Sequence, residues 1–337
     1  MKAYLLSAAH QLLVLTDMPD EPPGPGDATV DLRCAALNHR DVWIQKGTYH
    51  VMRYPVVPGA DGAGVVSAIG AGVDKAWLGR EVIINPGLSW GDSEAWARPD
   101  FFPLGMPRNG TFAQRITIPA VQLVDKPAHL SWEEAAALPL SGVTAFRAVC
   151  SRAMIARGER VLITGIGGGV ALFAMQFALA VGARVFATSS SQEKMRRVKE
   201  MGVEGTANYR DADWPEQLTA LAPEGFDVIM DSAVGPSFQR LIDLASPGGR
   251  IVFPGITAGG DTTLDMRPIY RRQLSILGTK MGSPRDFQAM VDLVARHRIK
   301  PIVDRVMPIT DINEAYALVD RGEQFGKVVM TVDFAKP

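Results

Sequence analysis

The chemistry this chain advertises most clearly begins at a run of glycines. Gly165, Gly167, Gly168 and Gly169 stand between a short apolar run at residues 161–164 and a longer one at 170–181. The first has the length of a buried strand. The second, apolar on nearly every side, has the length of a helix packed on a sheet. A turn this tight needs positive φ, which costs glycine little. Without a Cβ the backbone can approach a pyrophosphate, and the free N–H groups and dipole at the start of the helix, where Val170 lies, favour negative charge. The spacing, Gly165-x-x-Gly168-x-x-Ala171, departs from G-x-G-x-x-G. An ordinary tight turn reads similarly, but a strand before and a helix after favour a dinucleotide.

The next strand, residues 184–188, ends in Thr188, Ser189, Ser190 and Ser191, with Lys194 one turn on and Tyr209 after the following strand. An Asp or Glu at this strand end would accept the ribose hydroxyls of NAD. No carboxylate stands there, whereas hydroxyls and an ammonium can hold a 2′-phosphate. The expected cofactor is therefore NADPH, discriminated by Ser190, Ser191, Lys194 and Tyr209. The same residues also read as a serine N-cap, Ser190 or Ser191, followed by a solvated lysine, and one residue can do both.

These groups need a scaffold to hold them. Strands around residues 161–164, 184–188, 205–209, 227–231, 250–254 and 275–279 alternate with helices, which gives an α/β fold with a doubly wound parallel six-stranded sheet. Ser131 and Glu134 form a capping box that opens a helix ahead of it, and residues 141–156 read as the next helix. Residues 1–130 are β-rich, with five glycines in 59–73 suggesting close backbone approach and a long irregular lobe at 88–107. The elements after 284 do not continue the alternation. Two domains are expected: 1–130 with 284–337 for catalysis, and 131–283 for the dinucleotide.

Composition narrows the classes. The 337 residues are 47% hydrophobic and 21% charged, with a formal net charge of −1. No basic field points to nucleic acid and no polybasic stretch to a membrane surface. No apolar run approaches a membrane span. The start lacks the h-region of a signal peptide, and Cys34 and Cys150 are too few for a disulfide scaffold or a zinc site. A reduced, cytoplasmic protein acting on a small molecule is expected.

At this point the chain resembles the medium-chain dehydrogenase/reductase superfamily over essentially its whole length. Gly59-Ala60-Asp61, Gly64, Gly70 and Val73 sit in the register of its G-H-E-x-x-G-x(5)-G-x-x-V motif. Asn38-His-Arg-Asp41, Gly142-Val-Thr144 and Phe325-Gly-Lys327 match three further signatures. The resemblance implies a GroES-like catalytic domain beside a Rossmann domain. Its departures are informative. The catalytic zinc ligands of the family fall on Asn38, Ala60 and Leu140, and the structural ones on Trp90, Ser93, Trp96 and Leu104, none a zinc ligand set. Trp90, Trp96 and Leu104 are expected to replace the structural metal with an apolar cluster.

The resemblance is closest to the zinc-free quinone oxidoreductase-like branch. It implies hydride transfer from NADPH to a quinone or an activated C=C, with hydrogen-bond donors stabilising the charge that builds on oxygen. By this likeness Asn38 donates to the substrate oxygen, Arg40 reaches a nicotinamide-ribose or pyrophosphate oxygen, and Asp61 replaces the Glu beside the lost metal. Tyr49 is the candidate proton donor, and Trp43 and Trp90 line the pocket. Thr144, Gly255 and Lys327 fall near the cofactor, and a homodimer is expected. Asn38 and Asp41 equally read as caps of a helix at 39–46, and Trp43 and Tyr49 as core. Two other functions stay open: a metal-free NADPH-dependent carbonyl or alcohol oxidoreductase, and an NADPH-binding protein with little catalysis.

Overall fold

The computed structural model describes residues 1–20 and 22–334. They divide into two compact units, Met1–Ser141 with Ser283–Pro337, and Gly142–Gly282. Among the described residues no helix is long and apolar enough to cross a membrane.

The first unit is built on a seven-stranded sheet. Its strands run in the order Val303–Pro308, Lys327–Thr331, Asp27–Ala36, Asp61–Ile69, Glu81–Ile84 and Leu123–Asp125, and Arg115–Pro119 also pairs with Asp27–Ala36. The glycines of residues 59–73 do serve close approach: a Cβ on Gly64 would lie 2.1 Å from the Asp31 carbonyl oxygen of the neighbouring strand. The helix Trp132–Ala137 begins at the Ser131–Glu134 capping box, with Ser131 Oγ accepting the Glu134 N–H at 3.2 Å and Glu134 Oε2 accepting the Ser131 N–H at 2.9 Å.

That helix corrects the expected boundary at residue 130. It buries Ala135, Ala136 and Ala137 and packs on Asp27–Ala36, Asp61–Ile69 and Lys327–Thr331, so it belongs to the first unit. The division falls after Ser141, within the helix Pro139–Phe146. The second division precedes Ser283, because Ser283 caps the helix Pro284–His297 by accepting the Asp286 N–H at 3.0 Å. The helix expected over 141–156 is α-helical only to Phe146 and continues as a π-turn over Arg147–Arg152.

The second unit carries six parallel strands in the order Gly205–Asn208, Arg184–Ser189, Arg160–Ile163, Phe226–Met230, Ala245–Phe253 and Ser275–Gly278. In sequence order this is 3-2-1-4-5-6, so the winding reverses between Arg160–Ile163 and Phe226–Met230, where ligands of such sheets bind at the carboxyl ends. The helix Gly169–Val181 follows the first strand, buries Leu172, Phe173 and Phe177, and ends at Gly182 with φ +89°. Phe186 and Phe226 pack edge to face from opposite sides of the first strand, 5.3 Å apart.

Candidate functional site

Three strand ends converge in the first unit. Asp61, the first residue of Asp61–Ile69, pairs with Ala36 at the end of Asp27–Ala36. On the other side, the Leu37 N–H donates to the Val328 carbonyl at 3.0 Å, which brings in Lys327. Asn38 then turns into the helix His39–Gln45. Asp41 reaches back from the first turn, its Oδ2 accepting the Asn38 backbone N–H at 2.8 Å. Asp41 thus closes a capping box with Asn38 at the start of the helix.

The Asn38 side chain joins a buried polar cluster. Asn38 Nδ2 donates to Asp61 Oδ2 at 2.9 Å. Lys327 Nζ donates to Asn38 Oδ1 at 2.6 Å and to Asp61 Oδ2 at 2.9 Å. Ser141 Oγ donates to Asn38 Oδ1 at 3.1 Å, and the Leu140 backbone N–H donates to Asp61 Oδ1 at 2.7 Å. Asp61 has no exposure, and Lys327 and Asn38 have 3% and 6%. Each carboxylate oxygen of Asp61 therefore has a donor, as burial of a charge demands. Lys327 lies in the Asn38–Asp61 cluster, with its ammonium held by both residues.

Arg40 and Tyr49 pack against each other. Arg40 is buried; its Nη1 donates to the Leu104 carbonyl at 2.7 Å, its Nε to Tyr49 Oη at 3.3 Å, and its guanidinium lies 4.8 Å from the Tyr49 ring centroid. It ties the helix His39–Gln45 to the 88–107 lobe within the unit. Tyr49 Oη accepts from Arg40, which leaves its own O–H proton to donate. Asp41, fully buried beside Arg40, has its carboxyl pushed up by burial to about 6 despite the guanidinium. Trp43 is half-buried, its ring edge-on to His39 at 5.8 Å.

Trp90 packs within the lobe. It is buried, its Nε1 donates to the Ser93 carbonyl at 2.7 Å, and its ring meets Phe101 edge-on at 5.2 Å. Leu104 is buried too, in a cluster with Leu88, but Trp96 is 68% exposed and takes no part in an apolar cluster in place of the metal. A surface indole gains nothing there from a neighbour it does not face.

The residues at the family's metal positions do not fit zinc. Asn38 has its amide engaged, Ala60 has no donor, and Leu140 offers an N–H that already serves Asp61. An ammonium sits where a metal would need thiolates or imidazoles. Among the described residues no group of three or more His, Cys, Asp or Glu could hold a metal.

In the second unit the glycine turn forms a cradle. Gly165 and Gly167 have φ +61° and +147°, conformations that a side chain would strain. Thr188 Oγ1 accepts the Gly165 N–H at 3.1 Å, and the Ile166 N–H donates to the Thr188 carbonyl at 2.7 Å, which pins the turn to the second strand. Gly168 is the N-cap of Gly169–Val181 and supplies no capping side chain, so the first N–H groups at Gly169 and Val170 are open to an anion. A Cβ on Gly167 would lie 3.1 Å from Lys194 Nζ, which places that ammonium over the turn. Ser191 caps the helix Gln192–Glu200, its Oγ accepting the Lys194 N–H at 3.3 Å. Ser189 pairs with Asn208, so Ser190 and Tyr209 leave adjacent strand ends. The residues of this turn therefore fit the pyrophosphate of a dinucleotide.

Gly255 follows the fifth strand, where a Cβ would come within 3.2 Å of the Ser232 carbonyl oxygen. Thr144 is buried, with Oγ1 3.6 Å from Met281 Sδ. Sequence reasoning missed Ser141, which adjoins the Gly142-Val-Thr144 signature. It also missed Asp231, whose Oδ2 accepts the Val234 N–H at 2.6 Å and whose Oδ1 accepts from Thr164 Oγ1 across the switch point. A carboxylate closing the apolar run Val228–Met230 was its signal. Burial raises the Asp231 pKa against these hydrogen bonds.

Residues 24–128 match the alcohol dehydrogenase GroES-like domain and residues 169–296 the zinc-binding dehydrogenase domain. The chain is 33% identical over 335 residues to the zinc-type alcohol dehydrogenase-like protein YogA of Leptosphaeria maculans, with 92% of each chain covered. It is 27% identical over 340 residues to the acryloyl-coenzyme A reductase of Sulfurisphaera tokodaii, covering 98% of this chain and 99% of that one. A crystal structure of an NAD-dependent alcohol dehydrogenase superposes with a TM-score of 0.91 at 38% identity, over 99% of this chain and all of the other.

Proposed function

The chain belongs to the medium-chain dehydrogenase/reductase superfamily of oxidoreductases, and on that premise we propose that it reduces a quinone or an activated C=C with NADPH and without a metal. The observation that carries this reading is the Asn38–Asp61–Lys327 cluster, which engages Asn38 and the Leu140 N–H, two of the family's three metal positions, and offers no zinc ligand set. Without a Lewis acid, direct reduction of an unactivated carbonyl loses its main source of polarisation. A conjugated acceptor needs less, because the incoming electron pair is delocalised onto an oxygen that hydrogen-bond donors can stabilise.

NADPH, when bound, supplies the hydride. The chain's own residues bind and orient: Gly165, Gly167, Gly168, Gly169 and Val170 offer backbone to the pyrophosphate, and Ser190, Ser191, Lys194 and Tyr209 the 2′-phosphate end. Asn38 keeps one amide proton after donating the other to Asp61, and that N–H is available to a substrate oxygen. The likeness to an acryloyl-coenzyme A reductase supports C=C reduction.

A second reading has its own support. The 38% identical structure is of an NAD-dependent alcohol dehydrogenase, which favours NADH and a carbonyl substrate. NADPH and NADH consumption, measured against quinones, enones and saturated carbonyls, separates the two: turnover confined to conjugated acceptors with NADPH supports the first.

A further inference from the structure

We infer that Lys327 is a catalytic residue, its ammonium supplying at the substrate oxygen the positive charge that a metal supplies in zinc-dependent relatives. The inference rests on the reductase reading above. Lys327 Nζ has three protons and, among the described residues, two acceptors, Asn38 Oδ1 and Asp61 Oδ2. The third proton has no assigned partner.

The surroundings hold that ammonium in place. Asp61 cannot turn away, because Leu140 and Asn38 bind it independently of Lys327. Asn38 Oδ1 is fixed from its other side by Ser141 Oγ. All five residues are buried. An ion pair this deep is a poor route to stability, since apolar residues of similar size often do as well. In a site of low dielectric, the same pair is a preoriented cation that needs no reorganisation when charge develops.

The reaction supplies the complement. A hydride adds to the β-carbon of an enone, the C=C π pair moves onto the conjugated oxygen, and a proton later returns to the α-carbon from solvent. The oxygen is anionic in between. Lys327 donates a hydrogen bond to it and keeps its own proton. A quinone places the same anionic oxygen at the same point.

The test uses Lys327→Met, Lys327→Arg and the neutral double variant Asp61→Asn/Lys327→Met, which removes the ammonium without leaving a buried carboxylate alone. At saturating NADPH, kcat should fall about 100-fold or more in Lys327→Met and in the folded double variant, as for loss of one oxyanion donor. Lys327→Arg should retain more activity. The NADPH Kd should stay within about threefold of wild type in all. A second readout needs no turnover. p-Nitrophenol, titrated into the NADP⁺-saturated protein below its solution pKa, should bind as the yellow phenolate in wild type and as the neutral phenol in the double variant. A double variant that regains wild-type kcat overturns the inference, as does a wild type that leaves the probe neutral. A tenfold rise in NADPH Kd with kcat preserved makes Lys327 a cofactor ligand and also overturns it. If wild type ionises the probe, the double variant does not, and no acceptor is reduced, Lys327 stands and the reductase reading fails.

Discussion

Lys327 Nζ lies 2.9 Å from Asp61 Oδ2, with the lysine side chain 3% exposed and the aspartate not at all. Breaking such a pair from one side leaves a buried charge without its partner, a cost of about 3–5 kcal/mol. Lys327→Met should therefore lower the unfolding free energy by an amount of that order in urea titrations. Adding Asp61→Asn should recover most of the loss. Equal stability of the single and double variants would contradict the geometry.

Cofactor preference should depend on Lys194. A charge-assisted hydrogen bond contributes roughly 1.5–3 kcal/mol, so Lys194→Ala should weaken NADPH by about tenfold or more and leave NADH nearly unchanged. Arg196→Ala should do little, because its guanidinium is paired with Glu193 and Glu200 on its own helix. The NADPH advantage should shrink with added salt. Fluorescence titration of both cofactors decides this; a wild type that binds NADH as tightly as NADPH would favour the alternative suggested by the NAD-dependent structural neighbour.

Asp41 gives a pH dependence. Burial raises its carboxyl to about 6, so between about pH 4 and 6 the native state holds a proton that the unfolded chain has released. Its contribution to stability is full below that window and is lost as pH rises through it. In Asp41→Asn that dependence disappears. The wild-type-minus-variant difference in unfolding free energy should fall by about 1–3 kcal/mol from pH 4 to pH 7. A difference that rises with pH would mean that the native carboxyl titrates below the unfolded one.

Among the described residues the strand Ser275–Gly278 pairs only with Ala245–Phe253 and so forms an edge of the six-stranded sheet. Open edges are usually covered or paired, and a homodimer through this strand is the proposed cover. Light scattering should give about twice the 36.4 kDa chain mass. A single chain mass at micromolar concentration would contradict it.

The dinucleotide unit was legible because its signals are local. Residues 161–164, the glycines and the apolar run to Val181 are contiguous, and each element follows from its own period. The Asn38–Asp61–Lys327 cluster was only half legible. Asn38 and Asp61 lie on recognisable motifs, but Lys327 reaches them across a sheet register that joins positions 289 and 266 residues apart. No local pattern encodes that pairing. The partners of Arg40 and Trp90 were not legible for a related reason: their side chains turn into the 88–107 lobe, whose irregular backbone has no period to read. The first domain boundary failed because the capping box at Ser131 marks the start of a helix and says nothing of which sheet the helix packs on.

The measurement that tests the account most directly is NADPH oxidation by protein stripped with a chelator and checked by elemental analysis, assayed with an enone and with the saturated ketone of the same skeleton. The account predicts no stoichiometric zinc, an enone rate unchanged by chelation, and no comparable turnover of the saturated ketone. About one metal per chain, with activity lost on chelation and restored by zinc, or equal reduction of the two substrates, would contradict it.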